Sequence, residues 1–344
     1  MSSADHDPLY DIAVAATGSI PATWRRTGPQ RLLGQLRGVH GSYRIGISTI
    51  GGRLYHVKVS SLTPVPEPAV ARIDALCMDA NWQMPTAAFS YSAAGDGAVM
   101  TQAAIALDRT RNLPDPALYR NLLRECILNS ELLAKVVDAV NLGCSIEDAR
   151  TFRAQLYPEL YQGRLGGLPA YLTPSGTTPA SPSGLIAACE AATISAGWET
   201  LRPAPEQLIV VCAGSPATGP VHTVVDVHGR SLIFSSQPFS SELLVPEHRR
   251  PAVSELLNRI LAIGVPFGLA LDLQSGSVVA RSFLELSGVA QAPSPELLCD
   301  VIFQSAAGAF LYLDPIVAVA HEGADPKAAL AEHVARQQIA RRAS

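Results

Sequence analysis

The stretch from 210 to 222, VVCAGSPATGPVH, comes nearest to a reactive constellation in this sequence. Cys212 ends a Val-rich segment, a loop of small residues follows, and His222 and Asp226 come next. These three residues are the cluster in which a thiol nucleophile could find a base and a carboxylate. The loop lacks the Gly-Lys-Ser/Thr of a phosphate-binding loop. A structural turn between two strands is the preferred interpretation, because a reactive cysteine needs an exposed, electropositive setting.

Histidines and cysteines give no pattern typical of a metal site. His222 and His228 lie six residues apart in one strand-like segment, which separates them by about 20 Å on one sheet face. The sequence holds no His-Glu-x-x-His, Cys-x-x-Cys or paired-carboxylate motif. We therefore predict no metal, no cofactor and no enzymatic activity. We expect the six scattered cysteines to be reduced and mostly buried.

Residues 24 to 44, WRRTGPQRLLGQLRGVHGSYR, contain several arginines and no acidic residue: Arg25, Arg26, Arg31, Arg37 and Arg44. One interpretation is a basic surface for an acidic partner or a phosphate. The other, which we prefer, is a solvated first helix whose Leu32, Leu33 and Leu36 pack on a sheet.

Composition is typical of an ordinary soluble protein with two domains. The chain has 344 residues, of which 48% are hydrophobic and 16% charged. A formal charge of −4 argues against nucleic acid as the main partner. The acidic start MSSADHD and the absence of an uninterrupted apolar stretch of about 18 residues predict a cytoplasmic protein without membrane insertion.

An internal repeat is the strongest signal in the chain, and it predicts the elements that position these residues. VPEHRRPAVSELLNRI at 245 to 260 repeats the opening of VPEPAVARIDALCMDA at 65 to 80. Four pairs of landmarks keep an offset of 179 to 181 residues: Pro66 and Pro246, Pro85 and Pro266, Gly95 and Gly276, and Pro116 and Pro295. Each copy reads as a helix, then two strands about a glycine turn, then a helix with a Pro start.

Upstream of each copy lie further strand patterns, so each half predicts an α+β domain with antiparallel strands. We assign residues 1–162 to the first half, 163–182 to a linker rich in Pro, Gly, Ser and Thr, and 183–344 to the second half. Ser183 is the expected cap of the helix that opens the second half. Ser145 and Asp148 predict a further helix near 145 to 161.

The second half resembles YbjN-type domains, a bacterial group with the type III secretion chaperone-like fold. The resemblance covers roughly the last 160 residues and extends more faintly to 20–140. The positions that carry it are Pro246, Asp272, Ser294, Pro295, Gly323, Pro326, Ala329 and Leu330. The first copy departs from the pattern near Ser92, where no Asp stands, and it lacks the Gly-Ala-Asp-Pro tail. The resemblance implies an antiparallel sheet of about five strands with helices on one side, and no catalytic residues.

Single-domain proteins of this kind usually pair as dimers, so two copies in one chain imply an intramolecular pseudo-dimer. Such a chain could form this pairing by itself and remain a monomer. Independent side-by-side domains are the alternative. A linker of 20 residues would raise the effective concentration of such a pairing to about the millimolar range.

We expect a non-enzymatic chaperone or adaptor that holds a segment of another protein on apolar sheet and helix surfaces and spare strand edges. The candidate contacts, chosen by position, are Val57, Val59, Leu232, Phe234 and Phe239. Two alternatives stay open: an enzyme or small-ligand sensor that uses a cleft between the halves with Cys212, His222 and Asp226, and a structural subunit of a larger assembly.

Overall fold

A computed structural model describes residues 8–50, 54–84, 86–92, 97–106, 115–161, 169–172, 176–212, 219–238 and 244–343. The first half opens with helix α1 (Pro8–Thr17) and four strands, β1 (Thr23–Gly28), β2 (Arg31–Arg37), β3 (Ser42–Ile50) and β4 (Leu54–Ser61). Helix α2 (Val70–Gln83), the hairpin of β5 (Ala88–Ser92) and β6 (Ala98–Ala106), and helices α3 (Pro116–Asn141) and α4 (Ile146–Tyr161) follow.

The second half repeats this succession. Helix α5 (Pro182–Ser195) precedes β7 (Glu199–Ala204), β8 (Gln207–Cys212), β9 (Val221–His228) and β10 (Ser231–Pro238). Then come α6 (Arg250–Ala262), the hairpin of β11 (Gly268–Leu271) and β12 (Val278–Glu285), and the helices α7 (Pro295–Leu311), α8 (Leu313–His321) and α9 (Pro326–Ala343).

Both sheets are antiparallel, six-stranded and identical in topology. The strand order is β1-β2-β3-β4-β6-β5 in one and β7-β8-β9-β10-β12-β11 in the other. The predicted α+β class is confirmed, and the repeated strand order is consistent with two tandem units. Each sheet has six strands where about five were expected.

The arginine-rich segment is the main error in the predicted elements. Residues 23 to 50 form strands β1, β2 and β3, and the expected helix is absent. In β2 the even positions 32, 34 and 36 are buried while Arg31, Gln35 and Arg37 are exposed, which is the period of a strand. Strand β7, with the sequence ETLRPA, was missed because it lies at a sheet edge and buries little.

Most predicted helix starts are confirmed by their caps. The Asp115 carboxylate accepts from the Ala117 amide at 2.8 Å, and Ser294 accepts from Leu297 at 3.2 Å. The hydroxyl of Ser145 accepts from the Asp148 amide at the start of α4. The cap of α5 is Ser181, two residues before the predicted Ser183, because Pro182 takes the first helical position.

Helices cover the inner face of each sheet and build its core. Helices α1 and α3 pack on the first sheet, and α5 and α7 pack on the second. Side chains of alternate strand residues fill the space beneath them, among them Ile45 and Val225.

The two halves meet through equivalent elements. Helix α2 packs on β5 of its own half and on β11 of the other, while α6 packs on β11 and on β5. Ala88 and Gly268 occupy the same position in the two hairpins, and a Cβ built on Gly268 would lie 3.3 Å from that of Ala88. We call this contact region the seam.

Reciprocal hydrogen bonds cross the seam. Gln102, which is paired with Ala88, donates to the carbonyl of Leu261 at 2.9 Å. Arg281, which is paired with Gly268, donates to the carbonyl of Asn81 at 2.7 Å. Each half therefore donates a hydrogen bond from its hairpin to a helix carbonyl of the other half. That this arrangement reproduces the dimer of single-domain proteins stays a prediction.

Candidate protein-binding surfaces

Each sheet has an outer face, opposite to the helices of its core, and strand register fixes which residues share it. In the first half Arg25 is paired with Leu33, Leu33 with Gly46, and Gly46 with Lys58. We call the outer side of β1 to β4 the first outer face. The corresponding row of the second half runs from Leu201 through Ile209 and Val224 to Ser235. The outer side of β7 to β9 is the second outer face.

The first outer face carries the predicted basic residues, with one exception. Arg25, Arg31, Arg37 and Arg44 all lie on it and are exposed. Lys58, which sequence reasoning missed, adds a fifth cation from β4. Burial and the nearby Arg31 guanidinium lower the pKa of this lysine. Alternation along β4 could have identified it once the register was known.

Arg26 does not belong to this surface. It follows Arg25 in an extended strand, so its side chain leaves the opposite face of the sheet. Its guanidinium lies 4.5 Å from the ring centre of Tyr10 and donates to the carbonyls of Gly28 and Pro29. The predicted basic patch is therefore divided between two faces.

A buried carboxylate holds the hairpin that connects β2 and β3. Glu131 on α3 is fully buried and accepts from the amides of Val39 at 2.9 Å and His40 at 2.8 Å. The Tyr43 hydroxyl donates to the same carboxylate at 3.2 Å. A Cβ on Gly38 would overlap this carboxylate, so the turn requires glycine there. The arrangement fixes the strands that present Arg37 and Arg44.

The second outer face is apolar where the first is basic. Leu201 is 62% exposed, and Ile209, Val211 and Val224 are partly exposed beside it. Acidic residues flank this strip: Glu199 lies next to Val211 in the register, and Asp226 accepts from Gln207 at 2.8 Å. We call Leu201, Ile209, Val211 and Val224 the apolar strip.

Four of the predicted partner contacts lie in the interior of the fold. Val57, Val59, Leu232 and Phe234 are fully buried, with no measurable exposure. Val57 and Val59 point to the inner face beneath α3. Leu232 and Phe234 occupy the same inner side of β10, beneath α7, because Phe234 is paired with the core residue Val225. A strand pattern alone does not distinguish the inner from the outer face. Phe239 lies outside the described residues.

The structure does not bring Cys212, His222 and Asp226 together. Cys212 is paired with Val221 and lies on the inner face, whereas His222 and Asp226 lie on the outer face. The two outer residues are separated by about 13 Å at the usual rise of a strand. Burial raises the pKa of the Cys212 thiol, although a hydrogen bond with Thr223 opposes this. No pairing of a nucleophile with a base results.

The seam encloses little space. A cavity of about 20 Å³ is lined by residues of both halves, among them Gln102, Phe267 and Arg281. This volume suits about one water molecule. Within the described residues, no group of three or more His, Cys, Asp and Glu side chains could hold a metal ion.

The free edges of the two sheets are irregular. The register of β1 shifts between Arg26 and Gly28, and that of β7 shifts between Leu201 and Ala204. Pro203 in β7 has no amide hydrogen to donate. Bulges and prolines of this kind hinder the addition of a further strand. The faces, more than the edges, are therefore suited to binding.

Comparison with known protein families, curated proteins and solved structures found no match. One apolar segment of the described chain, Pro295–His321, has the length and composition of a membrane-spanning helix, with a mean hydropathy of 1.5. Of the most apolar part of this segment, 61% is buried within the fold. Core helices of soluble proteins have the same properties.

Proposed function

We propose that the protein is a non-enzymatic chaperone or adaptor that binds a segment of another protein on the second outer face. The observation that carries this proposal is the apolar strip, in which Leu201 is 62% exposed in line with Ile209 and Val224. The strip replaces the buried residues that the sequence suggested as contacts.

The strip is suited to a partner with apolar side chains. Its residues are cross-strand neighbours on three adjacent strands, so they form one continuous surface. Contiguous exposed apolar surface commonly marks a site of protein interaction. The flanking Glu199 and Asp226 favour a segment that carries basic residues beside its apolar ones.

The contribution of Leu201 can be estimated from its exposure. Full burial of a leucine side chain contributes about 2 kcal/mol. Since 62% of this residue is exposed in the free protein, covering it stabilises a complex by about 1 kcal/mol. Loss of that contact would weaken binding about fivefold.

Site-specific photo-cross-linking combined with affinity capture tests the proposal. A photoreactive residue is placed at position 201 or at position 142, and the cross-linked proteins are identified from cytoplasmic extract. Leu142 is the matched control because it is 89% exposed and lies at the end of α3, away from the strip. We expect one dominant cross-linked protein at position 201 and none at 142.

Recovery of the captured protein must also require the apolar strip. Leu201→Ser should lower its recovery several-fold, while Leu142→Ser should leave it unchanged. Equal recovery with both variants would refute binding on the second outer face. The cytoplasmic location and the YbjN-type relationship remain part of this proposal, supported by the buried apolar helix and the repeated architecture.

A further inference from the structure

We infer that the first outer face is a second, separate binding surface whose occupant is an acidic polypeptide segment. It does not depend on the apolar strip, because the two faces belong to different sheets. The inference rests on which residues the register brings to this face and on what the equivalent face of the second half carries in their place.

The five cations form one field across four adjacent strands: Arg25, Arg31, Arg37, Arg44 and Lys58. Neighbouring strands are separated by about 4.8 Å, so the field extends about 14 Å from β1 to β4. No carboxylate occupies a described position on this face. Arg25, Arg31 and Arg37 have no ion-pair partner within 4.0 Å among the described residues. Their charge is available to a ligand.

The same positions of the second half show that the sheet does not need cations there. Leu201 replaces Arg25, and His222 replaces Arg44 in the equivalent register. Both sheets fold with the same strand order. The charges of the first outer face are therefore not required by the architecture.

The chemistry of the face favours carboxylates over nucleic acid. Aromatic side chains that stack on bases are absent from its described, exposed positions, since Trp24 faces the inner side against Gly34. The whole chain carries a formal charge of −4, which opposes a long polyphosphate or an anionic bilayer at a distance. Guanidinium groups pair with carboxylates and with phosphates by two parallel hydrogen bonds, so the overall negative charge and the lack of exposed aromatic side chains at the described positions decide between them. A short acidic segment fits both the local and the overall charge.

A labelled peptide tests this inference on the full chain. The probe is an eight-residue peptide of alternating Glu and Ser with a fluorescent label, and binding is measured by fluorescence anisotropy in 50 mM salt. A peptide with Gln in place of Glu, a single-stranded oligonucleotide of random sequence and phosphatidylserine vesicles are measured in parallel. We expect binding of the Glu peptide only, weakened at least tenfold in 500 mM salt because exposed charges are screened.

Adjacent arginines on opposite faces supply the matched variants. Arg25→Gln should weaken binding about threefold, and the double variant with Arg31→Gln about tenfold, as expected for exposed ion pairs. Arg26→Gln changes the same charge on the other face and should have no effect. Circular dichroism confirms that each variant is folded.

Three results would overturn the inference: no binding of the Glu peptide, an equal loss with Arg26→Gln, or preferential binding of the oligonucleotide or the vesicles. Leu201→Ser should leave peptide binding intact. Failure of either surface can thus be distinguished from failure of the other.

Discussion

Acidification should destabilise the protein through one buried histidine at the seam. His56 on β4 is 9% exposed, and its ring approaches Gly264 of the other half. Burial is the main cause that lowers the pKa of His56 to about 4, and the Lys58 cation contributes, while Gln102 opposes the shift. The folded protein therefore holds this imidazole neutral at a pH where the unfolded chain binds a proton.

The direction of the effect follows from the two pKa values. His56 has a pKa of about 4 in the folded protein and 6.5 in the unfolded chain. Its contribution to stability is thus fully present above pH 6.5 and is lost as the pH falls toward 4. Linkage gives a loss of about 2 kcal/mol between pH 7.5 and pH 5. One pKa unit corresponds to about 1.4 kcal/mol, which limits the total loss to about 3 kcal/mol.

Urea unfolding of wild type and His56→Gln at pH 7.5 and pH 5 measures this contribution. Glutamine does not titrate, so the variant should lose about 2 kcal/mol less than wild type on acidification. Contributions of other groups cancel in this difference. His228→Gln, at the exposed end of β9, is the control and should follow wild type. Identical pH profiles for His56→Gln and wild type would refute the reasoning.

Three further predictions concern Glu131, Asp74 and two of the cysteines. Glu131→Ala leaves the amides of the hairpin between β2 and β3 without their acceptor, so it should lower the free energy of unfolding by about 3 kcal/mol. Hydrogen exchange of the amides in that turn should become faster. A loss of stability below about 1 kcal/mol would contradict this. Burial and the Glu255 carboxylate raise the pKa of Asp74 to about 7, although Arg259 opposes this, so the ionised side chain reduces stability as the pH rises above 3.8. Asp74→Asn should therefore raise Tm at pH 8 and leave it unchanged at pH 3.5. A rise at pH 3.5 without one at pH 8 would disprove the assignment. Alkylation at neutral pH should modify exposed Cys144 at least tenfold faster than buried Cys212; selectively fast Cys212 would instead favour the enzymatic alternative.

The repeat and the local signals of helices could be read from the sequence because they depend on neighbouring residues. A constant offset of 179 to 181 residues between landmarks predicted two similar halves, and the two sheets indeed share one strand order. Asp115 and Ser294 predicted the starts of their helices because a cap accepts a hydrogen bond from an amide only two or three residues away. Such contacts do not require knowledge of the rest of the fold.

The arginine-rich segment shows where local patterns were insufficient. Leu32, Leu33 and Leu36 have the spacing of a helix face, yet pairing with β1 and β3 made this segment a strand. Tertiary pairing outweighs weak local preference because β2 lies between two strands and buries Leu32 and Leu36 on the inner face of the sheet.

Only the tertiary structure decided which residues are available for binding. Val57 and Val59 lie on the covered side of their strand, while Leu201 and Ile209 lie on the open side of theirs. The sequence determined that these segments alternate, since successive side chains of a strand leave opposite faces. The helices that bury one face and the other half that meets the seam come from distant parts of the chain, so the exposed face depends on contacts that no local pattern contains.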